Sequence, residues 1–293
     1  MKISSHTHFL LRRIFLLGLC VGFLASSAAA ADTVIRVTGI PDENPTELAR
    51  KYQPLTDYLE KRLGTKVVYV PVVDYGAAVS ALAAGKIDFA WLGGFTFVQA
   101  RIMSGAEPVV QRDIDRQFTS VFISNVAANI NKVEDCRGKA FAFGSRSSTS
   151  GHLMPRHFML TQLHIDPDKD VAGEPVYSQA HDATVKLVES GKIQCGVLNS
   201  EVWQRMSRDA KFDRNKVKVI WTTPEYVDYV WTARKGVSSD IIKKFKEAFL
   251  SLNGADPQDK VILDLQGARK FVAASSADYD PLEKIGRSTG LIK

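Results

Sequence analysis

Cysteine and histidine are scarce in this chain of 293 residues, with three and six respectively. Cys20, Cys136 and Cys195 stand far apart, with no close Cys-x-x-Cys pair and no Cys/His quartet, which removes the ordinary structural zinc sites. The Gly-x-Ser-x-Gly elbow of hydrolases, the His-Glu-x-x-His zinc helix and the Walker phosphate loop are also missing. The charge surplus is +6, and no basic run interleaved with aromatics accompanies it, so nothing points to nucleic acid. No low-complexity segment interrupts the chain after residue 31. These absences argue against a familiar enzyme, a metalloprotein or a nucleic-acid binder.

The apolar run Ile14 to Leu24 is too short for a stable membrane span. It follows the basic residues Lys2, Arg12 and Arg13 and runs into Ala28-Ala29-Ala30-Ala31, the pattern of a secretory leader. Cys20 does not fit lipoprotein processing, because Leu19 occupies the place of a small residue and the apolar core continues past it. A cleaved leader over residues 1–31 and a soluble exported product are expected. Residues 1–31 supply three basic and no acidic side chains, so half of the charge surplus belongs to them. What remains is a mild excess compatible with attracting small anions. In an oxidising compartment Cys136 and Cys195 form either a disulfide or a pair of buried free thiols.

Hydrophobic periodicity gives alternating strands and helices. Val34 to Ile40 reads as a strand; Pro45 opens a helix with Leu48, Tyr52, Leu55, Leu59 and Leu63 on one face, closed by Gly64. A β-branched run comes next at Val67 to Val73, then a helix at Tyr75 to Ala84 and a buried strand at Ile87 to Leu92. Such alternation implies βαβ units and parallel pairing. Ser238 to Leu252 and Glu283 to Thr289 read as further helices, the latter ended by Gly290.

The segment Asp74-Tyr75-Gly76-Ala77-Ala78-Val79, with Gly85-Lys86-Ile87 after it, recurs 106 residues later as Ala180-His181-Asp182-Ala183-Thr184-Val185, with Gly191-Lys192-Ile193 after it. One repeat at this spacing implies two similar α/β lobes rather than a solenoid. It puts Tyr75 and His181 at equivalent helix starts, one per lobe. In open α/β sheets the strand C-terminal ends and the adjoining helix starts form the binding crevice. Extended runs at Phe118 to Ser124 and Tyr229 to Arg234 are expected to carry the chain between lobes. The expected division is residues 32–123 plus 230–293 for the first lobe and 124–229 for the second.

Within the second lobe, Phe143-Gly144-Ser145-Arg146-Ser147-Ser148-Thr149-Ser150-Gly151-His152 takes an apolar run through a hydroxyl-rich turn into a helix. A helix start offers unpaired amides and the positive end of the macrodipole, which together hold an anion. Taken alone, the same residues equally describe an ordinary N-cap. Pro155 conflicts with a helix capped at Ser148, because proline beyond the first turn costs about 3 kcal/mol. A cap at Ser150, or a kink after the first turn, relieves the conflict. Trp91, Trp203, Trp221 and Trp231 are read as core or cleft wall, with Phe95 and Trp231 as candidates to frame the cleft; Arg146 is read as a solvated loop arginine.

With these features the chain resembles the phosphonate/phosphite type of periplasmic substrate-binding protein of ABC transporters. The residues that carry the resemblance are Pro54-Leu55-x-x-Tyr58-Leu59, Asp74-Tyr75, Gly85-Lys86-Ile87-Asp88, Gly138-Lys139, Phe143-Gly144, Ser148-Thr149-Ser150-Gly151 and Ser178-x-x-His181-Asp182. The wording Trp91-Leu92-Gly93-Gly94-Phe95-Thr96-Phe97, with Pro41-Asp42-Glu43-Asn44-Pro45, is similar to a branch named for selenate binding.

The resemblance implies a type II periplasmic-binding-protein fold, two α/β lobes joined by two crossover segments. It also implies a tetrahedral oxyanion of the selenate, phosphite, phosphate or phosphonate class in the cleft. Ser148, Thr149, Ser150 and His181 are the implied ligands, with Tyr75, Thr96 and Phe95 contributing from the first lobe and no metal or cofactor. Phe97 stands where many phosphonate binders carry a tyrosine, and Glu201 is only a loose counterpart of the acids that hold an aminoalkyl tail. Both departures point to a compact anion. The expected partner is an inner-membrane permease, reached by a monomeric periplasmic protein. A sensor subunit serving a histidine kinase is the alternative, and a Ser148/His181 hydrolase lacks an evident third member.

Overall fold

The computed structural model describes residues 34–292, so the leader assigned to residues 1–31 lies outside it. The chain begins with β1 (Ile35–Gly39) and enters α1 (Pro45–Leu63). Asn44 caps α1 by accepting from the amides of Thr46 and Glu47, and Gly64 ends it in the left-handed conformation. The expected leucine–tyrosine stripe is its buried face. β2 (Val67–Tyr69) is shorter than the β-branched run, because Pro71 has no amide for a ladder. Next come α2 (Tyr75–Ala83), β3 (Phe89–Leu92), α3 (Gly94–Ser104) and β4 (Glu107–Arg112).

After a 3₁₀ turn at Asp113–Gln117 the chain forms β5 (Ser120–Asn125), β6 (Phe141–Phe143), α4 (Met154–Thr161), β7 (Val176–Tyr177), α5 (His181–Glu189), β8 (Cys195–Asn199), α6 (Ser200–Arg208) and β9 (Val217–Thr222). It returns through β10 (Val230–Ala233) to α7 (Ser239–Leu250), α8 (Pro257–Gln266), β11 (Phe271–Ala273) and α9 (Asp280–Ser288).

Two sheets result, ordered β11-β4-β10-β3-β1-β2 and β7-β6-β8-β5-β9. In the first, β2, β1 and β3 are parallel and β10 runs antiparallel beside β3. In the second, β7, β6 and β8 are parallel and β5 runs antiparallel beside β8. Apart from the additional edge strand β11 in the first sheet, the order is the same in both lobes, and the strand antiparallel to the parallel trio is the one that has just arrived from the other lobe. The internal repeat is therefore structural: α2 and α5 start at Tyr75 and His181, and Gly85 and Gly191 both adopt positive φ. The extended runs expected to link the lobes contribute β5 and β10 to the sheets themselves, and the chain crosses just before each of them. An extended pattern does not distinguish a linker from the strand it leads into.

Both sheets are closed by packed aromatics. In the first lobe Phe89 stacks on Phe245, and Trp231 lies among Tyr52, Trp91, Phe245 and Phe249. Trp231 is thus core and does not frame a cleft. In the second lobe Phe122, Phe141 and Phe143 form a cluster under β6. Cys136 and Cys195 in that cluster form a disulfide, tying the 3₁₀ turn Val133–Cys136 to the start of β8. No helix among the described residues is long and apolar enough to cross a membrane.

The disulfide closes a loop of 59 residues, for which chain-entropy reasoning gives about 4 kcal/mol of stabilisation. The paired variant Cys136→Ser/Cys195→Ser is expected to unfold at lower urea concentration by about that free energy. Equal unfolding midpoints for the two proteins would show that the denatured chain is already constrained without the bond.

Candidate functional site

β6 ends at Phe143, and the chain turns through Gly144–Ser147 to Ser148. The Ser148 hydroxyl accepts from the Gly151 amide at 2.9 Å, which makes it the N-cap. A π-helical turn, Thr149–Leu153, comes next and runs directly into α4. This resolves the Pro155 conflict. The wider turn moves Pro155 into the opening of α4, and the carbonyls its missing amide would have served are taken by other donors. Ser120 Oγ donates to the Ser150 carbonyl at 2.7 Å, and the Gly144 amide donates to the Gly151 carbonyl at 2.8 Å. The amides of Thr149 and Ser150 then lie in the first turn, where helix geometry supplies them no internal acceptor. Gly151 is required by close approach: a Cβ there would stand 3.0 Å from His181 Cε1 and 3.1 Å from Gly144 Cα.

The turn is propped from behind by His152, which is buried. Its Nδ1 donates to the Arg146 carbonyl at 2.7 Å, and its Nε2 accepts from Arg156 Nε at 2.9 Å. Burial holds its pKa down at about 4. Arg146 points outward and lies over the Tyr177 ring at 3.9 Å.

From the first lobe, the start of α3 meets this turn. The Phe95 amide donates to Thr149 Oγ1 at 3.0 Å, and the neighbouring Gly94 amide donates to Asp228 Oδ1 at 3.0 Å. Phe95 therefore contributes its backbone, while its ring packs against Gly286 of α9. Thr96 turns its hydroxyl back to donate to the Gly93 carbonyl of its own helix at 2.8 Å instead of facing the turn. Phe97 packs edge-on against Tyr279, so its lack of a hydroxyl says nothing about the junction. Tyr75 is fully buried at the start of α2, beside Ser148, and its hydroxyl has no hydrogen-bond partner among the described residues.

His181 begins α5 and is 0% exposed. Its amide donates to the Asp42 carbonyl of the first lobe at 2.9 Å. Its Nδ1 faces the Asn199 amide at 3.4 Å, so the proton of the neutral ring sits on Nε2, which is 3.5 Å from the Tyr229 hydroxyl. Burial pulls the His181 pKa down to about 4 and keeps it neutral. Ser148 and His181 have no hydrogen bond to each other, and the Ser148 hydroxyl is engaged as a cap.

Two carboxyls in this region carry no site signal in the sequence. Asp228, 1% exposed, lies in the second crossing. That crossing is stitched to the first: Phe118 and Tyr226 exchange backbone bonds, and the Asp228 amide donates to the Asp115 carbonyl at 2.8 Å. The Asp115 side chain is held by a buried double contact with Arg112. Asp228 is thereby aimed between Gly94 and the hydroxyls of Thr149 and Ser150, and its Oδ2 is buried without a hydrogen-bond partner among the described residues. Burial raises its pKa to about 7 despite those donors. Asp42 accepts from the Tyr229 hydroxyl at 2.9 Å and is raised to about 6, by burial first and then by Glu43. Neither residue belongs to a periodic segment. For Asp228 the only cue is an acid placed among aromatics in a crossing, and Asp42 lies in the loop between β1 and α1.

The junction thus holds helix-start amides, hydroxyls of serine, threonine and tyrosine, one neutral imidazole and the Asp228 carboxyl, with the Asp42 carboxyl behind Tyr229. Among the described residues no group of three or more His, Cys, Asp or Glu stands together as a metal site. Glu201 lies apart from the 148–150 turn, lining a cavity of about 40 Å³ with Asp42, Arg112, Asn199 and Tyr229.

Residues 37–279 match the family described as ABC transporter, phosphonate, periplasmic substrate-binding protein. The chain is 35% identical over 271 residues to the "Probable ABC transporter phosphite binding protein PhnD1" of Prochlorococcus marinus (strain MIT 9301), covering 89% of this chain and 91% of that one. It is 25% identical over 321 residues to the "Phosphate-import protein PhnD" of Mycolicibacterium smegmatis, covering 99% and 98%. The crystal structure of the Prochlorococcus PhnD1 in complex with methylphosphonate superposes with a TM-score of 0.85 at 34% identity, over 88% of this chain and 99% of that one. The fold is therefore the two-lobed periplasmic-binding architecture expected, and the chain belongs to the periplasmic substrate-binding proteins of phosphonate-type ABC transporters, which bind and do not turn over their cargo.

Proposed function

We propose that this protein captures a small phosphorus oxyanion of the phosphite or methylphosphonate class between its lobes and delivers it to an inner-membrane permease. It would act as a monomer exported to the periplasm by the leader at residues 1–31. The names of the relatives favour phosphorus over selenium, and the observation that carries the reading is Asp228. A seat made only of donors suits any fully deprotonated anion. An added carboxyl requires one proton to be shared with the ligand, so it selects an anion that still carries one near neutral pH. The amides of Thr149 and Ser150, the Tyr75 hydroxyl and His181 Nε2–H would supply the donors, and the Phe95 amide would join them by exchanging its bond to Thr149 Oγ1 for one to the ligand. Phosphite, phosphate and phosphonates hold their second proton near neutrality; sulfate and selenate have lost both.

Calorimetric titration against phosphite, methylphosphonate, phosphate, sulfate and selenate tests this. The expected order at neutral pH places the phosphorus anions ahead of sulfate and selenate by tenfold or more. Absence of binding to all five at millimolar concentration would remove the oxyanion reading. The pH dependence has a definite sign. With Asp228 at about 7, sulfate and selenate depend on its proton, and their affinity falls by up to tenfold per pH unit above that value. A phosphite complex also holds one shared proton, so its affinity falls with the same slope once both the ligand and Asp228 are deprotonated; unlike sulfate and selenate it also weakens at low pH, where both carry a proton and one must leave.

Asp228→Asn replaces the carboxyl by an amide that can donate. Phosphite affinity is expected to drop by about 1–3 kcal/mol, while sulfate and selenate gain and lose their pH dependence above 7. A variant with unaltered selectivity would place the discriminating group elsewhere. Thr149→Val combined with His181→Ala is expected to abolish binding while far-UV circular dichroism stays native. Wild-type affinity in that double variant would mean the seat lies outside this junction.

A further inference from the structure

The loop between β1 and α1 carries three consecutive polar residues, and each reaches away from its own sheet. The Asp42 carbonyl accepts from the His181 amide at 2.9 Å, and the Asp42 side chain accepts from Tyr229 of the second crossing. Asn44 donates to Asp182 Oδ2 twice, from its amide at 3.1 Å and its Nδ2 at 3.0 Å. Between them Glu43 is 5% exposed. One of its oxygens is paired with Lys51 of α1, in its own lobe, and the other with Arg205 of α6, in the opposite lobe. The carboxylate is engaged by these two cations and makes no hydrogen bond to the 148–150 turn.

One carboxylate between two cations has a specific consequence. With Glu43 in place the lobes attract through Arg205. Without it, Lys51 and Arg205 face each other as like charges across the interlobe gap. An interaction present only when the lobes are together multiplies apparent affinity by raising the population of the competent state, whatever it touches. Removing one member of a buried ion pair is far more costly than removing an exposed one, because the partner stays desolvated and unpaired.

We infer that Glu43 is an affinity-setting residue acting from outside the anion seat, by clasping the second lobe through Arg205. The role rests on the oxyanion-receptor reading for its consequence, and on the interlobe pair alone for its mechanism. It is a positioning residue, since it holds the two halves of the site at binding distance without contacting the ligand.

The test compares Glu43→Gln, Arg205→Met, their double variant and Lys51→Met in the full mature protein, titrated with phosphite and methylphosphonate. Glu43→Gln and Arg205→Met are each expected to weaken binding at least tenfold, mainly through faster dissociation. The double variant should be no weaker than the worse single, and Lys51→Met, which leaves the interlobe pair intact, should stay within threefold. Affinity and dissociation rate within twofold of wild type in both single variants would overturn the inference, as would an equal loss in Lys51→Met. A second measurement needs no ligand. The His181 amide bonds across the interface to Asp42, so its hydrogen exchange reports lobe separation, and Glu43→Gln should accelerate it at least tenfold while amides of the β8 core keep their protection. Unchanged exchange at His181 would reject the clasp even if the wild type binds no oxyanion. Accelerated exchange in a protein that binds none would reject only the receptor reading.

Discussion

Everything in this molecule is subordinate to one polar junction that must exist in a dry place. Helix starts from both lobes present backbone donors that their own helices cannot satisfy, and such groups cost free energy when buried unpaired. The Phe95 amide finds Thr149 Oγ1 and the Gly94 amide finds Asp228 Oδ1. Every larger feature serves to bring those partners within hydrogen-bond distance. Parallel strands in each lobe send their helix starts to one edge, and the Arg112–Asp115 pair fixes the crossings so that Asp228 enters from the side. The π-helical first turn fits the same logic. It accommodates Pro155, and the carbonyls left over are met by Ser120 and Gly144.

Much of the fold is legible in the sequence because burial imposes periodicity. The stripe on α1, its glycine stop and the matched starts of α2 and α5 are all consequences of one face meeting a sheet. The repeat also runs further than its sequence resemblance. α3 and α6 begin 106 residues apart, although Gly94-Phe95-Thr96 and Ser200-Glu201-Val202 share no residue type. The strands next to the crossings are harder to place. A short extended run carries no mark that says whether neighbouring strands receive it, so β5 and β10 look like linkers.

The site is legible where chemistry coincides with an element boundary and illegible where it does not. The Ser148–Ser150 turn and His181 announce themselves as polar residues at helix starts. Asp228 and Asp42 sit in connecting segments, and their significance comes from what faces them across the chain, which sequence spacing does not encode. Phe95 and Thr96 are among the residues that the resemblance implies for the site, but their side chains are not what reaches the junction. The Phe95 amide points out of the helix start to Thr149, whereas the Phe95 ring packs against Gly286 and the Thr96 hydroxyl turns onto the Gly93 carbonyl. The missing hydroxyl of Phe97 loses its meaning for ligand choice for the same reason.

The distribution of charge around the junction carries the last step. Cations are close by, yet each is committed elsewhere: Arg112 to Asp115, Arg156 to Asp168, Arg205 to Glu43, and Arg146 to the Tyr177 face. A free guanidinium in the seat would attract any anion and would discriminate mainly by charge. Neutral hydroxyls, amides and an imidazole kept uncharged by burial discriminate by the position of each oxygen, because a misplaced oxygen leaves a buried donor unpaired. In the proposed seat the Asp228 carboxyl would add the one property that donors cannot sense, whether an oxygen carries a proton. On the proposed reading, the restraint on positive charge would keep the proton on the ligand readable, since an adjacent arginine would pull Asp228 down toward the ordinary carboxylate range and turn a shared-proton contact into simple repulsion.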